Sequence, residues 1–420
     1  MRITEVRGRR VWDSRGRPTV EVELTCQQHV VRAIAPAGAS RGSAEARDRR
    51  DGGSRLGGWD VTEAVAAVNT EVRDALLGVD PTDQAGADAV LDHLDPTPTR
   101  SRLGGNVTTA TSLAVLHAGA ALSGVPVWTY LGRQPSALPR PEVQIIGGGA
   151  HAAGTVDVQD FMVVPLSAQT MEQALVDVAE VYLGVGTALR ARGRVNGVAD
   201  EGGHWPHVDS HEQALELLVE GIERAGLVPG DDVAISLDLA ASELAEGTDY
   251  VLASESRRLS RADWLDRLGD WCSAFPIVAL EDPAGEFDHD GLRTATERLA
   301  TGVDGRRRLI IGDDSVVTSA ARITEAAAAH RCNAALIKVN QAGTVTAAQQ
   351  AVDAARAAHW GVVVSARSGE TEDVSVAHLA VGWCADLVKV GSITRGERTA
   401  KWNELLRIAE ATGLGLTPPF

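Results

Sequence analysis

The pattern of apolar and polar positions changes character about a third of the way along the chain. Near the start, residues 19–24 (TVEVEL) alternate strictly, the period-2 signature of a half-buried strand. Residues 61–77 instead put Val61, Val65, Val68, Val72 and Leu76 on one helical face. Asp60 is placed to cap that helix, Glu63 to complete a capping box, and Gly78 with Pro81 to end it. Residues 108–122 repeat the helical spacing, and the small run 36–42 (PAGASRG) reads as a surface loop. Residues 1–135 are therefore expected to form a small α+β domain, with the Pro-containing stretch 136–141 as its exit.

Over residues 136–420 short apolar runs recur, each followed by a helix-like segment. They are DFMVVP (160–165), VAISLDLA (233–240), PIVALED (276–282), LIIGDD (309–314), AALIKVN (334–340), GVVVSAR (361–367) and DLVKVG (386–391). This alternation predicts an α/β architecture, a TIM-type β/α barrel of parallel strands buried on both faces. Asp238, Glu281, Asp313, Lys338, Arg367 and Lys389 stand at or near the C-terminal ends of successive runs. In a β/α barrel those ends converge on one mouth, where the chemistry is found.

Three carboxylates from neighbouring strands, Asp238, Glu281 and Asp313, make an oxygen cage suited to Mg²⁺. Two lysines flank it on later strands, and a lysine facing a divalent metal and another lysine is expected to have a depressed pKa, making it a base near neutral pH. Such a site suits removal of a weakly acidic proton next to a carboxylate, with the metal neutralising the enediolate charge.

Net charge sharpens this picture. At −17 the chain is a poor partner for nucleic acid or acidic membranes, and an anionic substrate would need a bound metal and local cations to reverse the field. No run approaches the roughly eighteen apolar residues of a membrane span, and the opening MRITEVRGRRVWDSRG has no apolar core of a secretion leader. The four cysteines (Cys26, Cys272, Cys332, Cys384) are scattered without a C-x-x-C pair, so a reducing, cytoplasmic setting is expected.

At these residues a resemblance becomes specific. DSRGRPTVEVEL (13–24), DEGG (200–203), LEDP (280–283), GDD (312–314), LIKVNQAGTVT (336–346), RSGETED (367–373) and ERTAKWNELLRI (397–408) resemble the motifs of the enolase family, in its order and near its spacing. The Lys-plus-Mg²⁺ arrangement is an established one in that superfamily. The resemblance implies that Asp238, Glu281 and Asp313 hold a first Mg²⁺ and that Lys338 takes the C2 proton. It implies that Glu201 helps the C3 hydroxyl leave, that Lys389 contacts the substrate carboxylate, and that Arg367 with Ser368 grips the phosphoryl group. His151, in the loop IIGGGAHAAG, would close over the substrate, and Ser40 would help hold a second Mg²⁺. A homodimer or higher homo-oligomer is also implied.

Departures from the family cluster around the substrate. Where the family has Ser-Gly-Ala-Ser-Thr-Gly, this chain has Ala37 and Arg41 and keeps only Ser40 of the three hydroxyls. Asp160 replaces a glutamate, retracting that catalytic carboxylate by about 1.5 Å. Ala366 replaces a pocket histidine, Gly147 an asparagine of the lid and Arg17 one of the opening motif. A larger, more basic pocket suits a larger anion. The expected function is therefore a Mg²⁺-dependent hydro-lyase acting on a modified 2-phosphoglycerate. One such substrate is 2-phosphonoformylglycerate, giving the carboxyphosphonoenolpyruvate of phosphonate antibiotic pathways, with Arg41 pairing with the added carboxylate. The alternatives are an ordinary glycolytic enolase and a catalytically inactive binding homologue.

Overall fold

A computed structural model describes residues 1–419 other than 40, 303 and 304; the side chain at 196 is also outside the description. Strands β1 (Ile3–Trp12), β2 (Pro18–Cys26) and β3 (His29–Ile34) form an antiparallel sheet in that order. Helix α1 (Gly105–Ser123) packs across β2 and β3. The helix expected over 61–77 forms as Thr62–Ala67 and Arg73–Leu76, flanking a π-helical turn at Val68–Val72. Its N-terminus is not held by the expected capping box. Asp51 accepts from the backbone N–H of Thr62 and Glu63 at 2.9 and 3.0 Å, while Asp60 is engaged by Arg10 and Glu63 by Arg49. An acceptor that arrives from eleven residues upstream leaves no local pattern to read.

Eight strands close the barrel: β4 (Arg140–Gly147), β5 (Asp160–Pro165), β6 (Val233–Asp238), β7 (Ile277–Glu281), β8 (Leu309–Gly312), β9 (Ala334–Ile337), β10 (Gly361–Ser365) and β11 (Leu387–Gly391). Pairing of β11 with β4 completes the ring. The expectation of parallel strands throughout needs correction: β5 runs antiparallel to both β4 and β6. The loop 148–159 joins β4 to β5 without a crossover helix, so β5 can only return beside β4 in the opposite sense. The reversal has a consequence for chemistry. Asp160 begins its strand, yet it lies opposite Asp238, which ends its own.

Side chains alternate between the two faces of a strand, and here the alternation sorts them by height within the barrel. Val164, Ala234, Ala279, Leu309, Ile311, Ala334, Leu336, Val363 and Leu387 pack into an interior plug. One pleat repeat further toward the mouth stand Ser236 then Asp238, Glu281, Asp313, Lys338, Ser365 and Lys389. Below the plug, the buried Arg140 guanidinium donates to the carbonyls of Pro165, Ala168 and Thr417. A dry floor under a charged mouth is what keeps the charges in one layer. No helix is long and apolar enough to cross a membrane, among the described residues.

Candidate active site at the barrel mouth

The cavity at the mouth is walled by His151, Gln159, Asp160 and Glu201 on one side. Asp238, Lys338 and Lys389 form its floor, and Ser365 to Ser368 close the other side. All of these side chains are buried or nearly so. Charges in such a place persist only when paired.

Lys389 Nζ lies 2.8 Å from Asp238 Oδ2, 2.7 Å from Glu281 Oε2 and 3.6 Å from Asp160 Oδ2. Lys338 Nζ donates to Asp313 Oδ2 at 2.6 Å, and Gln341 Nε2 donates to Asp313 Oδ1 at 2.8 Å. Gln159 Nε2 reaches Asp238 at 3.1 Å. His151 Nε2 stands 3.9 Å from both Asp160 and Glu201. Arg367 is gripped by Glu45 at 2.9 and 3.3 Å and touches Asn340 at 3.2 Å. Arg15 donates to Ser368 Oγ at 3.2 Å.

Strained backbone supports two of these side chains. Asp282 has φ +41°, an unusual conformation for a residue with a Cβ, directly after Glu281. In that pose its carboxylate accepts from the backbone N–H of both Asp313 and Asp314 at 2.9 Å. Thr318, at φ +52°, accepts from the Lys338 backbone N–H and donates to Gln341.

The depressed lysine pKa expected beside a bound metal is opposed by the protein's own charges. Burial lowers the pKa of Lys338, but the fields of Asp313 and Glu281 outweigh that and raise it. Lys389 is raised well above the usual value, because Asp238, Glu281, Asp160 and Glu142 together overcome burial. With the protein's own charges alone, carboxylates outnumber ammonium groups, so neither lysine is depressed. Asp238 and Asp313 are lowered: burial opposes ionisation, but Lys389 favours it at the first and Lys338 at the second. Glu281 is raised well above the carboxylate range, by burial and then by Asp238. Beside His151 the two carboxyls diverge. Burial raises Asp160, whereas at Glu201 the upward push of burial is overcome by His151, Arg398 and Lys389.

Two sets of ligand atoms lie within 4.8 Å of one another, His151/Asp160/Glu201 and Asp282/Asp313/Asp314. Asp238 and Glu281 are instead bridged by an ammonium, so a cation already occupies the space between them. Glu281 Oε1 is buried without a hydrogen-bond partner among the described residues. An all-oxygen donor set with an orphaned carboxylate oxygen fits a hard divalent cation such as Mg²⁺.

The loop residues stand apart from the rest. Ser40 lies outside the described residues. Arg41 does not line the cavity: its side chain is 33% exposed and points to Asp48 at 3.3 Å, which also holds Arg50 at 2.7 Å. Gly38 passes so close over Arg367 that a Cβ there would sit 1.7 Å from Nη2, and Ala37 exchanges backbone hydrogen bonds with Gly369 at 2.9 and 2.8 Å. Sequence reasoning missed Glu45, Arg15, Gln159 and Gln341. Glu45 has nothing local to tie it to a barrel 322 residues away, whereas Arg15 and Gln341 lie inside DSRGRPTVEVEL and LIKVNQAGTVT, motifs that carry the resemblance. Gln159 borders Asp160 and was within reach.

Two family models match the chain. The N-terminal domain of enolase matches residues 3–131, and the C-terminal TIM barrel domain of enolase matches residues 135–416. A divalent metal, usually Mg²⁺, is implied by both domains together with the acidic layer at the mouth. Spanned by these two domains and carrying this layer of carboxylates and lysines, the chain belongs to the enolase family.

Proposed function

We propose that the protein removes water from a 2-phosphoryl-type glycerate to give an enolpyruvate, and that its own substrate carries an enlarged phosphorus group. An example is 2-phosphonoformylglycerate, which would give carboxyphosphonoenolpyruvate. Ala366 carries this reading. It lines the cavity between Ser365 and Arg367, and a methyl there leaves room where the family's histidine ring would stand.

Lys338, as the free amine, takes the proton from C2. Lys389 meets the substrate carboxylate, while Arg367 and Ser368 bind the phosphoryl oxygens by charge-assisted hydrogen bonds. The C3 hydroxyl leaves as water with a proton from the His151/Asp160/Glu201 set. Asp160, the more buried carboxyl, favours holding that proton, and Glu201 is the more exposed of the two. Mg²⁺ held by Asp238, Glu281 and Asp313, with a second ion at Ser40, would neutralise charge building on the carboxylate.

The test is turnover of 2-phosphoglycerate and of its phosphonoformyl analogue by wild type and by Ala366→His. Preference of the wild type for the analogue, reversed by the histidine, supports the reading. Preference of both proteins for 2-phosphoglycerate overturns it. That outcome would leave an ordinary enolase, a reading favoured by the engagement of Arg41 with Asp48 instead of the cavity. An inactive homologue is disfavoured by the buried charges, which are costly to keep unless used.

A further inference from the structure

The loop 148–159 brings His151 and Gln159 to the cavity and leads into Asp160. Its outer side is tied to the barrel wall through Asp157. The Asp157 carboxylate accepts from Ser254, by the backbone N–H at 3.1 Å and by the hydroxyl. It also faces His211 Nε2 at 3.4 Å. His211 opens helix α2 (His211–Arg224), and its ring is wholly buried. Its Nδ1 meets Glu255 at 2.5 Å, its own backbone N–H donates to the same oxygen at 3.2 Å, and Trp271 stacks obliquely at 5.7 Å. None of these groups belongs to the cavity.

We propose that His211 is a positioning residue that clamps the catalytic loop through Asp157, with a grip set by the proton on its Nε2. The geometry carries two hydrogen-bond arrangements. In the neutral ring, Nδ1–H donates to Glu255 and the Nε2 lone pair accepts the Asp157 backbone N–H, 3.2 Å away. Protonation of Nε2 ends that acceptance and lets Nε2–H donate to the Asp157 carboxylate instead.

The surrounding charges favour the second arrangement. Asp157 from the loop, Glu255 from the turn at Ala253–Glu255, and Glu212 on the histidine's own helix are negative. Arg267, from the helix Arg261–Ala274, pairs with both Glu255 and Glu212, and Arg257 stands 3.8 Å from Glu255. Burial lowers the pKa of His211, but bonds to Asp157 and Glu255 outweigh it and raise the value. The share of that rise due to Asp157 exists only while the loop is docked, so the docked loop binds the proton more tightly than the free loop does. Docking is therefore strongest at low pH, with the imidazole protonated, and weakens as pH rises through the elevated value.

This inference rests on the reading that the loop serves the barrel-mouth site, but its test needs neither substrate nor metal. Amide hydrogen exchange across 148–159 is followed from about pH 8.5 to about pH 6 and corrected for intrinsic exchange chemistry. Wild type should gain several-fold protection in the loop as pH falls. Asp157→Asn keeps the backbone N–H but removes the charge, so its protection should be nearly flat with pH, as should that of His211→Gln. With a substrate that is turned over, both variants should also raise KM more at pH 6 than at pH 8.5. Wild-type protection that does not change with pH, or the same pH profile in all three proteins, overturns the proposal. If His211→Gln does not fold, Asp157→Asn decides alone. A wrong substrate would leave the exchange result standing, whereas an active enzyme with an unresponsive loop refutes only the clamp.

Discussion

Lys338 Nζ lies 2.6 Å from Asp313 Oδ2, so the amine proposed as the base also neutralises a carboxylate proposed to hold the metal. The two roles are exclusive at any instant. Asp313 raises the pKa of Lys338, so the free amine, the form that can act as base, grows as pH rises.

Lys338→Ala should therefore abolish exchange of the C2 proton with solvent, a loss of about 10²–10⁴-fold if the lysine acts as general base. Deuterium incorporation followed by NMR measures this directly. In wild type the exchange rate should climb with pH through neutrality. Exchange retained in the alanine variant would move the base to another residue.

Metal addition should stabilise the fold. A ligand at about a hundred times its Kd adds about 2.7 kcal/mol, so Mg²⁺ should raise the Tm of wild type measurably. Glu281→Gln keeps the shape of the side chain but removes a ligand charge, and should reduce that rise while leaving Lys389 paired with Asp238. An unchanged Mg²⁺ response would show that the cation binds elsewhere, with Asp282/Asp313/Asp314 the next set to test.

Much of this site could be read in the sequence because a barrel strand has a simple code. Apolar runs ending in Asp238, Glu281, Asp313, Lys338 and Lys389 name both the strand and the mouth, since period-2 alternation lifts every second residue toward it. β4 escaped notice for the opposite reason. Its inward Glu142 and Gln144 interrupt the apolar run, and the reversed sense of β5 depends on a connection that has no hydrophobic signature. Contacts between the two parts of the chain were the least legible. Glu45 meets Arg367 across 322 residues, and Arg41 turns to Asp48 because an acidic partner lies seven residues on.

The Glu45–Arg367 pair should matter for stability as well as binding. Both side chains are about 5% exposed or less, so removing one strands the other. Arg367→Met should cost about 3–5 kcal/mol, as for other broken buried pairs, whereas the double variant with Glu45→Gln should recover part of it. Chemical denaturation of the three proteins measures the coupling. A purely additive pair would mean that Arg367 is held mainly by its other contacts.

Gly38 tests whether the first loop must lie over Arg367. A Cβ at 1.7 Å from Nη2 cannot be accommodated without moving the loop or the guanidinium. Gly38→Ala should raise KM strongly and also lower Tm, because Ala37 and Gly38, expected in a surface loop, are buried, and both carbonyls accept from Arg15. An unchanged KM despite a lower Tm would show that binding does not require the loop to lie over Arg367.

Arg41 is the last residue on which the substrate reading turns. Its present pair with Asp48 is partly exposed, and such pairs are worth about 0–1 kcal/mol. Asp48 keeps Arg50 at 2.7 Å if Arg41 leaves, so swinging the guanidinium toward a substrate carboxylate costs little. A charge-assisted hydrogen bond to that carboxylate, worth about 1.5–3 kcal/mol, would exceed that cost. Arg41→Ala should then raise KM for the phosphonoformyl substrate by about tenfold or more, and for 2-phosphoglycerate much less. Steady-state kinetics on both substrates decides the matter, and equal effects on the two would remove Arg41 from the pocket.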